Sequence, residues 1–301
     1  MSVRDRWLDP IILGHNAFFG VNHLSAEAGN RTAQQFQDPT RIIELVRFCS
    51  QLGVSAMMMS THDRAGSIAR LLHDDTELRD SVSLYALVPY IAKYVRHANE
   101  KGLVNVLVDQ LSGGHAVTGK VKAMVRGSVG FLRGDVEAML LSLVDLELAV
   151  FQGLNLKVVF LHDTLTDLAI GWKLSHLLKR FAEHVATKHG ARAGFCTKNV
   201  PALLTTCRDA GLEHPLIMAA VNKVGFQVNP SLPDLEKSLG SEDLDLVAMS
   251  TLAAGYLKPE EAFAYLASVP QLRSLVIGAS SPRHAEETFA AARRHLPHKN
   301  T

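Results

Sequence analysis

Eight short apolar runs, separated by longer amphipathic stretches, constrain the fold of this chain more than any other feature. Alternation of this kind is typical of a parallel sheet that is covered by helices. Eight is also a number of strands that closes a barrel. We therefore predict an α/β fold, a (β/α)8 barrel in a single domain over residues 1–301. Its predicted strands are Ile11–Gly14, Val54–Met59, Val82–Val88, Leu156–Leu161, Ala191–Cys196, Pro215–Val221, Leu244–Met249 and Ser274–Gly278.

Helical patterns fill most gaps between these runs. Pro39, Pro259 and Pro282 each stand where a helix would begin, a position at which the missing N–H of proline costs nothing. The predicted helices are Pro39–Leu52, Asp135–Gln152, Leu168–His189, Val200–Ala210, Pro259–Ala267 and Pro282–Arg293.

Residues 91–134 do not fit a single strand and helix, and we interpret them as an insertion after the third strand. This segment carries a basic group without a nearby acid, which could bind an anionic substrate, although an ordinary solvated basic loop is the preferred interpretation. The basic residues are Lys120, Lys122, Arg126 and Arg133.

Composition and charge favour a globular protein whose partner is a small molecule. The chain of 301 residues is 47% hydrophobic and 20% charged, which is enough apolar surface for a large core. A formal charge of +1 without runs of like charge gives no reason to expect a nucleic-acid or membrane partner. No oligomeric state is predicted.

Cysteine usage and the N-terminal segment indicate a cytoplasmic protein. Cys49, Cys196 and Cys207 are odd in number and have no CxxC spacing, which argues against a disulfide framework or a structural zinc site. The charged first ten residues lack the apolar core of a signal peptide. No run reaches the roughly 18 apolar residues that cross a bilayer.

Two ionisable pairs, His62-Asp63 and His162-Asp163, each follow the end of an apolar run. Parallel strands of a barrel all end at the same rim, and active sites of such barrels lie at that carboxyl end. We therefore expect both pairs to line one active-site mouth.

Four segments resemble the aldo-keto reductase superfamily. Residues 249–257 (MSTLAAGYL) and 275–287 (LVIGASSPRHAEE) resemble the family's last two strand-helix units. Residues 194–199 (GFCTKN) are similar to its fifth-strand turn, and residues 156–163 to its fourth strand with the terminal His. The resemblance extends over most of the chain from about residue 135 onward.

This resemblance implies that NADPH is the cofactor. In the family the seventh and eighth loops hold its phosphates, and the ends of strands five and six hold its nicotinamide. Loops that lead into a helix N-terminus also offer free N–H groups to phosphate. The positions that match are Thr197, Asn222, Ser250, Thr251, Leu252, Ser280, Arg283 and Glu287.

The N-terminal half departs from the family at its catalytic residues. Family members carry an Asp after strand two, a proton-donating Tyr a few residues later and a Lys at the end of strand three. Here the turn after strand two has no Tyr, and its approximate place is taken by Arg64 or Ala65. Strand three has no Lys before Lys93, so only His162 matches the family's catalytic set cleanly.

Our first hypothesis is NADPH-dependent reduction of a small carbonyl substrate with a rearranged acid/base set. Tyr90 and Lys93 would replace the missing pair, with Asp63 acting on Tyr90 through Lys93. A partly buried Tyr90 whose hydroxyl bonds the backbone is the simpler interpretation of that residue. The predicted catalytic set is His162, Asp63, His62, Tyr90 and Lys93, and the predicted substrate-binding residues are His15, Asn16 and Asp163.

Two alternatives remain open. His15, His62, Asp63 and His162 would also suit a non-redox lyase, isomerase or hydrolase, because small environmental shifts bring imidazole and carboxylate groups into play near neutral pH. A divalent metal is possible in that case, although we assign no metal ligands, since residues on separate strands give no spacing to test. The second alternative is an inactive protein that only binds the cofactor.

Overall fold

A closed barrel of eight parallel strands, in chain order, forms the centre of the molecule. The computed structural model describes residues 8–21, 25–91, 93 and 136–296. All eight predicted strands and the predicted (β/α)8 fold are confirmed. The strands are β1 Ile11–Gly14, β2 Ala56–Ser60, β3 Ser83–Val88, β4 Leu156–Leu161, β5 Arg192–Thr197, β6 Leu216–Ala220, β7 Asp245–Met249 and β8 Leu272–Gly278.

Helices follow the strands and cover the outside of the barrel. Asp38, Asn199, Ser231 and Ser281 each cap a helix N-terminus with a side-chain oxygen. The helices are α1 Ala26–Gln35, α2 Pro39–Gln51, α3 Ala65–Asp74, α4 Thr76–Ser81, α5 Val136–Leu148, α6 Asp163–Gly171, α7 Ser175–His189, α8 Val200–Asp209, α9 Leu232–Ser241, α10 Pro259–Ala267 and α11 Pro282–His295. Short 3-10 helices span Asn16–Phe19, Ala149–Phe151 and Ala253–Gly255.

Some helix predictions need correction. The predicted helix Leu168–His189 is two helices, α6 and α7, because the chain breaks at Trp172–Leu174, where Lys173 adopts a left-handed φ of 57°. Helices α1, α3, α4 and α9 were not predicted. Apart from residues 91 and 93, the predicted insertion 91–134 and its basic residues lie outside the described part of the chain.

Side chains of the strands alternate between two apolar cores. One core lies between strands and helices, and the other fills the barrel interior with side chains such as Met58, Tyr85 and Phe160. Gly194 faces Phe160 so closely that a Cβ there would lie 2.4 Å from the Phe160 ring. The interior is therefore packed below the mouth, and any small-molecule site must lie above it.

Polar groups at the amino end of the barrel are paired with one another. Asp245 is buried and lies 2.7 Å from Arg192, 3.1 Å from His214 and 3.1 Å from Arg273. Because these charges satisfy one another, this end of the barrel is suited to stability, as is usual for barrels of this kind. No helix among the described residues has both the length and the apolarity needed to cross a membrane.

Candidate active site

His162 stands at the carboxyl end of β4, where the strand passes into helix α6. Its backbone N–H donates to the carbonyl of Val88 at 2.9 Å, so it continues the ladder between β3 and β4. Side chains alternate along a strand, and His162 therefore shares the inward side of Phe160. The sequence places this imidazole at the mouth because the apolar run of β4 ends one residue earlier.

Three imidazoles converge at this mouth. His15 is buried at the end of β1, and its pKa is lowered from 6.5 to about 4. Burial is the main cause, followed by the charges of His62 and His162, whereas the Met58 carbonyl acts in the opposite direction. The predicted convergence of strand ends therefore brings together His15, His62 and His162, and His15 is neutral at ordinary pH.

Aromatic packing fixes His62 beside the first 3-10 helix. Its ring stacks on Phe19 with centroids 4.2 Å apart and planes 11° apart, and Tyr90 lies 5.4 Å away on a tilted plane. The Cζ atom of Arg64 lies over the Phe19 ring, 5.6 Å from its centroid. The Arg64 guanidinium also donates to backbone carbonyls of Phe18 and Phe36, so it anchors this aromatic wall. The predicted substrate residue Asn16 begins the same 3-10 helix and is exposed.

A chain of charged groups extends from His162 towards β5. Nδ1 of His162 lies 2.7 Å from Oδ1 of Asp163, and Oδ2 of Asp163 lies 3.6 Å from Nζ of Lys198. Burial alone would raise the pKa of Asp163, but the hydrogen bond and charge of His162, with the charge of Lys198, hold it below its usual value. Asp163 is thus an ionised partner for the imidazole.

Lys198 was missed by the sequence analysis, although it directly follows β5 as His162 follows β4. Asp167 of helix α6 contacts the same turn. Its Oδ1 accepts a hydrogen bond from Thr197 Oγ1 at 2.5 Å, and its Oδ2 accepts one from the Lys198 backbone N–H at 3.3 Å. Burial raises the pKa of Asp167. An ionisable residue just after a strand is the signal that would have identified Lys198.

Tyr90 and Lys93 both contact a residue that the sequence analysis did not select. Glu147 is buried on α5, where Oε2 accepts from the Tyr90 backbone N–H at 3.0 Å and Oε1 lies 3.7 Å from Nζ of Lys93. Lys93 is therefore paired with a buried carboxylate of α5, while the side chain of Asp63 is exposed. Glu147 shares a helical stripe with Val144 and other buried residues, and an acid on such a stripe was its signal in the sequence.

The loop after β7 has a backbone shape that is rare for residues with side chains. Ser250, Ala253 and Ala254 have φ values of 53°, 47° and 60°, in the left-handed region. Thr251 is buried between them, and Leu252 packs against the core. A segment held in this unusual conformation turns sharply at the mouth, as a binding loop does.

Among the predicted cofactor residues, Thr197 and Asn222 use their polar atoms in contacts buried within the protein. Thr197 Oγ1 donates to Asp167 and accepts from the backbone N–H of Asn199 at 2.9 Å. Asn222 Nδ2 donates to the carbonyls of Phe226 at 2.9 Å and Ser250 at 3.2 Å. Both side chains are fully buried: Thr197 joins the end of β5 to helix α6, and Asn222 joins the loops after β6 and β7.

The last strand and helix leave room at the mouth. Gly278 ends β8 and is exposed, and a Cβ built on it would meet nothing within 4 Å. Ser280 accepts a hydrogen bond from Gln35 through its carbonyl, at 2.5 Å. Arg283 lies in the first turn of α11, largely exposed, and pairs with Glu287 at 2.8 Å.

This end of the barrel has features that suit an anionic ligand. Free space at Gly278, the sharp loop after β7 and the N-terminus of the 14-residue helix α11 with its Arg283 are the features that bind anions. A metal at the mouth has less support. Within the described ranges, the three metal-ligating side chains that cluster most closely are Asp145, His184 and His189, on the outer helices.

Comparisons with known proteins identify the fold. No family model matches the chain, and no curated protein is significantly similar to it. A proposed aldo-keto reductase from Pseudomonas aeruginosa is similar in structure, with a TM-score of 0.61 and 16% identity over 95% of this chain and 90% of that one.

Two further solved structures give the same result. An aldo-keto reductase from Bacillus halodurans in its holo form has a TM-score of 0.56 and 12% identity, over 97% of this chain and 92% of that one. A thermostable aldo-keto reductase in complex with the inhibitor epalrestat has a TM-score of 0.58 and 11% identity, over 97% and 94%. The fold that the resemblance implied is thereby confirmed, because the chain has the (β/α)8 fold of these aldo-keto reductases.

Proposed function

We propose that this protein is an oxidoreductase that reduces a small carbonyl compound with NADPH, using His162 as the proton donor. The observation that carries the proposal is the position of the Asp163-bound imidazole of His162 at the same barrel mouth as the anion-binding features of β7, β8 and α11. The fold shared with known reductases supports it.

Asp163 and Thr164 orient the imidazole ring of His162. The carboxylate oxygen Oδ1 lies 2.7 Å from Nδ1 of His162 and 2.9 Å from the backbone N–H of Thr164. Nδ1 also lies 3.2 Å from the backbone N–H of Thr164, so both Asp163 and Thr164 fix the orientation of the ring. Nε2 is then the ring nitrogen left for a substrate, and in our proposal it carries the transferable proton.

The proposed reaction adds one hydride and one proton to the carbonyl group. When bound, NADPH supplies a hydride to the carbonyl carbon. His162 donates its Nε2 proton to the carbonyl oxygen as negative charge develops there, which yields an alcohol. The neutral imidazole then takes a proton from water. His15 stays neutral, because its pKa of about 4 lies well below ordinary pH, and it adds no positive charge to the substrate site.

Residues of the last two loops would hold the cofactor. Ser250, Thr251 and Leu252 would surround its phosphates from the loop after β7, and Ser280 and Arg283 would bind them from the start of α11. Glu287 would orient Arg283 through their ion pair. Thr197 would act by fixing the turn after β5, and Asn222 by joining the loops after β6 and β7.

Replacing His162 tests this proposal. NADPH consumption is followed with a panel of small aldehydes and ketones, first for the unaltered protein and then for His162→Gln. We expect turnover by the unaltered protein and a loss in kcat of about 10²- to 10⁴-fold in the variant, as for removal of a general acid.

His176→Gln is the matched control, because His176 is exposed on α7 and belongs to none of the groups assigned to the site, so the change should leave kcat unchanged. Equal kcat values for His162→Gln and the unaltered protein would contradict the role of His162. No NADPH consumption with any carbonyl compound would contradict the reductase itself.

A further inference from the structure

A second group of ligating side chains lies on the outside of the barrel, where helices α5 and α7 pack. Asp145 belongs to α5, whereas His184 and His189 belong to α7. Their ligand atoms all lie within 4.8 Å of one another. None of the three takes part in the proposed reductase site, and they lie on helices that cover the barrel rather than at its mouth.

Both imidazoles point the same nitrogen at one carboxylate oxygen. Nε2 of His184 lies 2.7 Å from Oδ1 of Asp145, and Nε2 of His189 lies 2.8 Å from the same atom. The two rings have centroids 5.8 Å apart at 63° to each other. One oxygen atom and two ring nitrogens thus converge on a single point from two helices.

We propose that Asp145, His184 and His189 bind a divalent transition-metal ion, with Zn²⁺ as the best match. Two imidazoles and one carboxylate form a common zinc ligand set, and water can fill the fourth position. Zinc lies about 2.1 Å from such ligands, so ligand atoms in a tetrahedral site are about 3.4 Å apart. The two Nε2–Oδ1 distances, 2.7 and 2.8 Å, would therefore lengthen by about 0.6–0.7 Å when the ion binds.

Access and charge also suit a cation. The side chains of the three residues are 17–23% exposed, enough for an ion to reach them from solvent. The Asp145 carboxylate supplies an oxygen ligand beside the two imidazole nitrogens, as zinc sites use.

Lys188 competes with the ion for the same carboxylate. Its Nζ lies 2.5 Å from Oδ2 of Asp145, the oxygen that the two imidazoles do not share. The side chain is half exposed, so the ammonium can move into solvent when a cation arrives. Removal of this positive charge should make the site stronger.

Zinc titration of the full chain by calorimetry tests the site, with Co²⁺ as a spectroscopic probe of tetrahedral geometry. We expect one zinc ion per chain. His184→Gln and His189→Gln should each weaken binding by at least about tenfold, since even the loss of outer-shell partners has an effect of that size. Lys188→Met should tighten binding by about tenfold, because it removes the competing charge.

Two further variants distinguish this site from other histidines. His176 lies on the same helix α7, and the His176→Gln protein should bind zinc as the unaltered protein does. His162→Gln should also bind normally, because the ion does not lie at the mouth. Circular dichroism and thermal melting without metal confirm that each variant is folded before its affinity is compared.

Three results would overturn the proposal: no zinc binding at about 100 μM, affinities unchanged by both His184→Gln and His189→Gln, or loss of zinc in His162→Gln. An affinity that Lys188→Met leaves unchanged or weakens would contradict the use of Asp145. These outcomes are independent of NADPH consumption, so the metal site and the reductase activity can fail separately.

Discussion

His15 shows at the residue scale how the barrel mouth controls protonation. Its Nδ1 is buried and accepts or donates no hydrogen bond within the part of the chain that the structure describes. The side chain lies in the electrostatic field of His62 and His162. A neutral imidazole with an unused ring nitrogen, next to His162, is suited to bind a polar group of a substrate without adding charge.

The depressed pKa of His15 predicts a specific pH dependence of stability. Because its pKa is about 4 in the folded state and 6.5 when exposed, the unfolded state binds more protons between these values. Stability is therefore complete above pH 6.5, falls as the pH drops towards 4 and levels off below it. When the pH is lowered from about 7 to about 5, protonation of His15 in the unfolded state should reduce the free energy of unfolding by roughly 2 kcal/mol.

Urea denaturation of the unaltered protein and of His15→Phe checks this prediction. Phenylalanine fills a similar volume and does not titrate, so the variant should lose about 2 kcal/mol less over the same pH range. Other groups contribute equally to both proteins and cancel in the comparison. Parallel stability curves for the two proteins would show that His15 is not held neutral in the folded state.

Among the secondary-structure elements, helix α5 connects the outside of the barrel with the segment that follows β3. Asp145 faces α7, whereas Glu147, two residues later, is buried and contacts Lys93 and the backbone N–H of Tyr90. The carboxylate thereby fixes the segment that follows β3. Lys93 acts in this arrangement as the partner of a buried acid, which leaves the proton-donor role to His162 in our proposal.

A double-mutant cycle measures the Lys93–Glu147 pair. Lys93→Met leaves a buried carboxylate without its cation, and this should be costly, whereas the same change in a Glu147→Gln background removes no ion pair. We expect a coupling free energy of about 1–3 kcal/mol from urea denaturation of the four proteins. Effects that add to within about 0.5 kcal/mol would mean that the pair does not stabilise the fold.

The strands were predictable from the sequence, because strands that are buried on both faces read as continuous apolar runs. The helices were less predictable from the sequence. Helix α1 and helix α4 are short or rich in polar residues, and α9 buries little more than Leu235 and Leu239. Helix α3, however, buries residues at positions i, i+3, i+4 and i+7, and this pattern was visible in the sequence.

The site was predictable only in part. His62 and His162 follow apolar runs, so their place at the mouth follows from the strand pattern alone. Contacts between segments do not follow from any local pattern, because they depend on how the barrel closes. Two such contacts join Glu147 to Lys93 and Lys198 to Asp163. The residues of each pair are at least 35 positions apart in the sequence.

At the scale of the whole molecule, the two ends of the barrel carry different sets of ionisable groups. At the amino end Asp245 is surrounded by Arg192, His214 and Arg273, and these groups neutralise one another. At the carboxyl end three imidazoles, the sharp loop after β7 and the start of α11 face one mouth. The proposed reductase requires that this mouth bind NADPH through its last two loops.

Titration of the protein with NADPH, followed by the change in cofactor fluorescence, tests this requirement most directly. Arg283→Ala is compared with Arg294→Ala, which removes the same charge from the other end of α11, where Arg294 pairs with Glu260. We predict saturable binding, weakened about tenfold by Arg283→Ala and unchanged by Arg294→Ala, because charged hydrogen bonds to phosphate form only at the helix start. Absence of saturable binding, or equal affinities for both variants, would contradict the account.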